Sequence, residues 1–174
     1  MTDMYQKVSG GMDAFTKLAS YIPGFSGYVD RENRRAADKL VRETIARRFD
    51  ELWKRLSDMQ SELVSAGKIE YVDDLEQAGI QLRTFMDKIR TAPRGYAGFF
   101  DAVKINQKEL EQLYNFDLAF FESADQIAHG LDNVEASLGD ETALPAAIRN
   151  ITTLSRQAVT TYNRRTEAFT GSDK

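Results

Sequence analysis

Residues 45–63, IARRFDELWKRLSDMQSEL, carry the pattern that decides the fold class. Large apolar residues recur here at alternating spacings of four and three, at Ile45, Phe49, Leu52, Leu56, Met59 and Leu63. A helix with that repeat presents one apolar stripe to a neighbouring helix, as in a coiled coil. Outward from this stretch, Asp30 supplies an N-cap and Gly67 a C-terminal stop. The sequence therefore predicts a long helix over about 30–66.

Three further segments repeat the pattern and are predicted to form helices over about 70–92, 100–138 and 142–170. The stripe of the first contains Tyr71, Leu75, Ala78, Leu82, Phe85 and Ile89. The stripe of the second contains Val103, Leu110, Leu113, Phe120, Ala124, Ile127, Leu131, Val134 and Leu138. The stripe of the third contains Ile148, Ile151, Ala158, Tyr162 and Phe169. Strand signals are essentially missing from the sequence.

Short turns join the four predicted helices into two consecutive hairpins. We therefore predict an all-α fold, an elongated antiparallel up-down-up-down four-helix bundle over residues 30–170. Residues 1–29 are predicted to add a short N-terminal amphipathic helix and a loop, and residues 171–174 a disordered tail, all within a single domain. The apolar face of the added helix contains Met4, Val8, Met12, Phe15, Leu18 and Ile22.

Two loops share one pattern of glycine, aromatic, small residue, glycine and aromatic: residues 24–28 (GFSGY) and 95–99 (GYAGF). Each precedes a predicted long helix, which is consistent with an internal duplication. Antiparallel connectivity places both loops at the same end of the bundle. There the aromatic side chains either plug the open end of the core or remain exposed as a docking surface. The sequence leaves both alternatives open.

The composition excludes several kinds of site. The chain has no cysteine and a single histidine, His129, so thiolate zinc sites and the metal sites of ferritin-like and hemerythrin-like bundles are excluded. No phosphate loop, dinucleotide fingerprint or serine elbow is present. A formal net charge of -4 is untypical of nucleic-acid binders. We therefore assign no catalytic, cofactor-binding or metal-binding residue, and we expect neither a nucleic acid nor a small-molecule substrate.

The sequence also predicts a cytoplasmic location. Charged residues interrupt the N-terminal apolar residues, which leaves no secretory signal. No apolar run approaches the length of about 20 residues that is needed to span a bilayer.

Charge is segregated along the chain. Residues 31–48 contain seven basic and three acidic side chains, whereas residues 109–141 contain nine carboxylates and no lysine or arginine. The acidic helix either pairs with basic helices of the same bundle or pairs with a basic flank of another copy. Asp117 interrupts the apolar stripe of that helix. We expect it on the flank, with Phe116 taking the stripe, because a buried Asp117 requires an arginine partner.

The leading hypothesis is a non-enzymatic interaction or scaffold module that binds a protein partner or itself through charged flanks or through the aromatic-glycine end. The alternative is a peripheral membrane protein that uses the N-terminal helix and the basic segment 31–48 on anionic lipid. An enzyme is not expected, because the stripes are almost wholly apolar and leave no interior site for titratable groups. The candidate interaction residues are Phe25, Tyr28, Arg31, Arg34, Arg35, Tyr96 and Phe99.

Overall fold

The computed structural model describes residues 13–30, 32–91 and 107–170. These residues form helices and no strand, which confirms the prediction of an all-α fold. A 3-10 turn, Ile69–Tyr71, separates the second helix from the third. In chain order the helices are α1 (13–21), α2 (Arg34–Ser65), α3 (Val72–Thr91), α4 (Gln107–Ala136) and α5 (Ala143–Thr170).

Helix α2 begins later than predicted, at Arg34 instead of Asp30. The carboxylate of Asp30 accepts hydrogen bonds from the Glu32 backbone N–H at 3.0 Å and from the Asn33 amide at 2.6 Å. Asp30 therefore closes a local turn just before the helix, which is the usual competition between an aspartate side chain and helical backbone. Asn33 occupies the N-cap position instead.

The predicted glycine stop of α2 is confirmed. Gly67 has φ +73°, its N–H donates to the Val64 carbonyl at 3.0 Å, and the Lys68 N–H donates to the Leu63 carbonyl at 2.9 Å. This pair of bonds is the Schellman motif, which satisfies the last carbonyls of a helix and requires a residue with positive φ. The tight turn lets α3 fold back against α2.

Helix α5 begins within one residue of its predicted start. The carboxylate of Asp140 accepts hydrogen bonds from the N–H groups of Ala143 at 3.1 Å and Thr142 at 2.9 Å, and these bonds lower the pKa of Asp140. Helix α4 ends at Ala136, two residues before its predicted end. The predicted start of that helix, the loop at 95–99 and the tail at 171–174 lie outside the described residues.

One hydrophobic core runs through the helices and contains Leu56, Leu82, Leu131 and Ile151, one from each long helix. The centre of the core is aromatic. The ring of Phe85 lies 4.1 Å from that of Phe49 and 5.3 Å from that of Phe120, measured between centroids. Most residues of the predicted stripes are buried in this core. Tyr71, Leu110, Leu138 and Phe169 are half-buried against it, and Val103 lies outside the described residues.

Helix α2 packs against α3 and α4, and α5 packs against the same two helices. Helices α4 and α5 approach each other closely at Gly130, where an added Cβ would lie only 2.5 Å from Cδ1 of Ile151. Helix α1 belongs to the same core, since Ala14 and Leu18 are buried in it. None of the described helices has the combination of length and apolarity needed to cross a lipid bilayer.

Candidate functional site

The first aromatic-glycine loop is part of the interior. Phe25 is 7% exposed and Tyr28 is fully buried, so neither can serve as an exposed docking residue. The ring of Tyr28 stacks on that of Tyr114 at 5.6 Å, and Phe15 lies 5.4 Å from Tyr114. Of the two alternatives for this loop, the structure supports the plug. Tyr96 and Phe99 of the second loop, and Arg31, lie outside the described residues.

A glycine brings this loop against α4. Gly27 has φ +89°, a conformation that side chains of L-residues rarely adopt. The following N–H, that of Tyr28, donates to the hydroxyl of Tyr114 at 3.0 Å. A Cβ on Gly27 would lie 2.7 Å from that hydroxyl. Both the backbone conformation and the space therefore require glycine at this position.

Beneath the aromatic plug lies a group of buried charges. Asp117 of α4 accepts a hydrogen bond from the Tyr28 hydroxyl at 2.7 Å and forms an ion pair with Arg165 of α5, also at 2.7 Å. The side chain of Asp117 is 1% exposed and that of Arg165 is 2% exposed. The expectation that Asp117 lies on the flank is wrong. It is buried, with the arginine partner that burial requires.

Helix α2 contributes a second row of charges to this group. Arg34, Asp38 and Arg42 are four residues apart and so share one face of the helix. Nε of Arg34 donates to the carbonyl of Tyr28 at 2.6 Å, and Arg42 forms an ion pair with the buried Asp38 at 2.7 Å. Arg34, a predicted interaction residue, is thus buried and engaged, whereas Arg35 is exposed.

We call Tyr28, Arg34, Asp38, Arg42, Asp117 and Arg165 the buried ionic cluster. Burial raises the pKa of Asp117 well above its usual range and also raises that of Asp38, and it lowers the pKa of Arg165 to about 10. These pKa shifts show that burial disfavours the charged forms of the three side chains. Hydrogen bonds and ion pairs within the cluster offset that cost. The expectation of an almost wholly apolar interior is therefore wrong at this end of the core.

The contacts of the buried ionic cluster join a loop to three helices. Tyr28 reaches α4, Arg34 of α2 reaches the loop, and Arg165 of α5 reaches α4. Such a network fixes the register of the elements that it connects. In the described ranges, no group of three or more histidine, aspartate or glutamate side chains is arranged to hold a metal ion.

The acidic side chains of α4 are largely used within the chain. Asp125 accepts a hydrogen bond from the Tyr21 hydroxyl at 2.6 Å and forms an ion pair with Arg48 of α2. Two helical turns further along α4, Asp132 and Glu135 both contact Arg55 of α2. Of the two predicted uses of this helix, the structure therefore supports pairing with the basic helix of the same chain.

The contact between Tyr21 and Asp125 predicts a pH dependence. This hydrogen bond raises the pKa of Tyr21 from 10.0 to about 12. The folded chain therefore retains a proton that the unfolded chain releases, and the free energy of unfolding falls as the pH rises through this interval. Tyr21→Phe is expected to reduce that fall. Urea denaturation at pH values below and within the interval measures it, and an unchanged slope in the variant would contradict the assignment.

The surface of α5 carries cations of a different kind. Arg149, Arg156 and Arg164 are exposed, and none of them forms an ion pair with a described residue. Most surface cations elsewhere have a carboxylate one helical turn away, as Lys17 has Asp13 at 3.2 Å and Lys54 has Asp50 at 2.8 Å. Arg47 of α2 and Arg90 of α3 are likewise exposed and form no ion pair with a described residue, but each stands alone on its helix, whereas the three arginines of α5 form a set on one helix.

Arg165 is not among the functional residues predicted from the sequence, although the sequence contains a signal for it. Arg165 follows Ala158 and Tyr162 on the apolar stripe of α5 at spacings of four and three. Asp117 likewise stands on the stripe of α4. Two opposite charges on the buried stripes of adjacent helices indicate a buried ion pair.

Comparison with known protein families, with curated proteins and with solved structures finds no match to this chain.

Proposed function

We propose that this chain is a non-enzymatic helical interaction or scaffold module that binds a protein partner, or another copy of itself, through a charged flank. The observation that carries the proposal is the row of exposed arginines on α5, Arg149, Arg156 and Arg164, which have no acidic partner among the described residues. The buried ionic cluster is not such a surface, because its charged side chains form ion pairs and hydrogen bonds within the chain, although Oδ1 of Asp38 is buried without a hydrogen-bond partner.

The architecture that we propose for this module is the elongated antiparallel up-down-up-down four-helix bundle. Arg48 pairs with Asp125 and Arg55 with Asp132, both across 77 positions, which supports a common direction for α2 and α4. Helix α2 contains 32 residues and is therefore roughly 48 Å long at 1.5 Å per residue. A rod of this length offers long helical flanks for binding.

A similar comparison of contacts supports opposite directions for α4 and α5. Asp117 lies beside Arg165, and Gly130 lies beside Ile151, so a rise of 13 positions on α4 accompanies a fall of 14 on α5. Such a crossing is typical of two helices joined by a short turn.

The aromatic-glycine end contributes less to this proposal than the flanks. Phe25 and Tyr28 are buried, and only the second loop, outside the described residues, remains as a candidate of that type. We propose a cytoplasmic location for this module. We also propose that it binds neither a nucleic acid nor a small-molecule substrate.

The membrane alternative has less support than the leading proposal. Arg34, Arg42 and Arg48 of the basic segment contact groups within the chain, whereas Arg35 and Arg47 are exposed. The apolar residues Leu18 and Ile22, which would face the lipid, are buried in the protein core.

Sedimentation velocity of the full chain, combined with affinity capture from its native host, tests the proposed function. We expect self-association or a stoichiometric captured protein, weakened by high salt because exposed charges are screened. A chain that stays monomeric at all concentrations and captures nothing would contradict the proposal. A tagged helical protein of similar size and net charge serves as the capture control.

A further inference from the structure

We infer that the exposed face of α5 docks an acidic helix of a protein partner whose carboxylates recur every seven residues. This inference rests on the proposed function and names the surface and the chemistry of the partner. The residues that carry it form what we call the arginine stripe: Arg149, Thr153, Arg156, Thr160, Asn163 and Arg164.

The arginine stripe has the geometry of a helix-packing seam. Its first five residues follow one another at spacings of four, three, four and three, and all of its residues are exposed. A stripe with this mean spacing runs nearly parallel to the helix axis, as the seam of a coiled coil does. Arg149 and Arg156 are seven residues apart, or roughly 10.5 Å along the axis. A second helix laid along α5 would meet them at equivalent positions two turns apart.

The side chains along the stripe alternate in size. Threonines lie between the arginines, and their short side chains leave room for the backbone of a neighbouring helix. The hydroxyl of Thr153 donates to the carbonyl of Arg149 at 3.1 Å, so it is already satisfied within α5. The arginines can then reach past the threonines to carboxylates, which they bind through two parallel hydrogen bonds.

The stripe has little compensating charge on its own helix. The single carboxylate of α5 is Glu167, three residues after Arg164, and the two form no ion pair; residues 143–166 contain no aspartate or glutamate. On α2, by contrast, Asp38 pairs with Arg42, Lys39 with Glu43 and Lys54 with Asp50, each at i,i+4 spacing. An isolated set of arginines on one face of a helix is complementary to an acidic surface.

A second copy of the chain fits this role less well than a separate acidic helix. The carboxylates of α4 that would face the stripe, such as Asp125 and Asp132, already pair with Arg48 and Arg55. A nucleic acid is disfavoured by the net charge of -4, which repels a polyanion. A membrane is disfavoured because the stripe contains no large apolar side chain to enter the lipid.

The test uses a synthetic helical peptide with glutamate at every seventh position, and a control peptide of the same composition whose glutamates are spread around the helix. Binding to the full chain is measured by fluorescence anisotropy at low and at physiological salt. The variant R149Q/R156Q/R164Q removes the charges of the stripe. The matched variant K39Q/R47Q/R90Q removes the same charge from other exposed positions on α2 and α3.

We expect the heptad peptide to bind the chain about fivefold more tightly than the control peptide, since the two ion pairs in register, at Arg149 and Arg156, contribute roughly 0.2–1 kcal/mol each. The stripe variant should lose that preference, and the matched variant should keep it. Equal binding of the two peptides, or full binding by the stripe variant, would overturn the inference. So would a DNA duplex or an anionic vesicle that competes more strongly and depends on the same arginines.

Affinity capture with the stripe variant separates this inference from the proposed function. If the variant captures the same protein as the natural chain, the partner uses another surface, so the inference fails and the function stands. Circular dichroism of both variants checks that they are folded, which is expected because the substituted side chains are exposed.

Discussion

Asp117→Leu is expected to lower the free energy of unfolding by about 3–5 kcal/mol. The substitution removes the carboxylate that forms an ion pair with Arg165, whose side chain is 2% exposed. It also removes the acceptor of the Tyr28 hydroxyl, which is fully buried. The free-energy cost of leaving a buried charge unpaired exceeds the free energy gained by burying the leucine side chain. Urea denaturation followed by circular dichroism measures the loss.

Two controls identify the cause of that loss. The double variant Asp117→Leu with Arg165→Met removes both charges, and it should be more stable than either single variant because no unpaired charge remains. Asp132→Leu breaks an exposed ion pair with Arg55 and should cost less than about 1 kcal/mol. A double variant as unstable as the sum of the two single variants would show that Asp117 and Arg165 are not coupled.

Gly27→Ala is expected to be the second most damaging of these substitutions, at about 3 kcal/mol. The residue has φ +89°, which costs an alanine roughly 1–2 kcal/mol. The new Cβ would also press on the Tyr114 hydroxyl at 2.7 Å, and overpacking of this kind costs about 1–3 kcal/mol. Moving Tyr114 would break its bond to the N–H of Tyr28. Chemical denaturation and the near-ultraviolet tyrosine signal report both effects.

Gly24→Ala is the matched control. Gly24 has a similar φ of +85°, but an added Cβ would meet nothing within 4 Å. Only the conformational cost remains, so the loss should be roughly 1–2 kcal/mol. Equal losses at the two glycines would show that contact with Tyr114 does not restrict position 27.

These two experiments bear on function as well as on stability. The aromatic loop and the buried ionic cluster both lie in the interior, and their side chains contact each other. Buried side chains of this kind are not available to a partner. Partner binding is therefore expected to tolerate modest changes in this cluster as long as the chain remains folded, whereas it should respond directly to the arginine stripe.

Much of the helical structure could be predicted from the sequence. The buried stripes of α2 and α3 follow from spacings of three and four, because helix geometry relates sequence position directly to a face. The glycine stop at Gly67 is similarly local, since a positive φ favours glycine. Asp30 shows the limit of this reasoning. Its carboxylate could accept hydrogen bonds either from the first turn of a helix or within the turn that precedes the helix. The sequence alone did not distinguish these two arrangements.

What the sequence by itself determined is the all-α fold class and the apolar faces of the helices, because both depend on residues within a few turns of one another. Only the tertiary structure decided which charges are interior and which are free. Tyr28 meets Asp117 across 89 positions, and Arg48 meets Asp125 across 77. A charge is stable inside a protein only beside a suitable partner, and that partner is supplied by whichever helix packs against it. For the same reason, only the tertiary structure showed that Arg149, Arg156 and Arg164 of α5 are exposed and form no ion pair with a described residue.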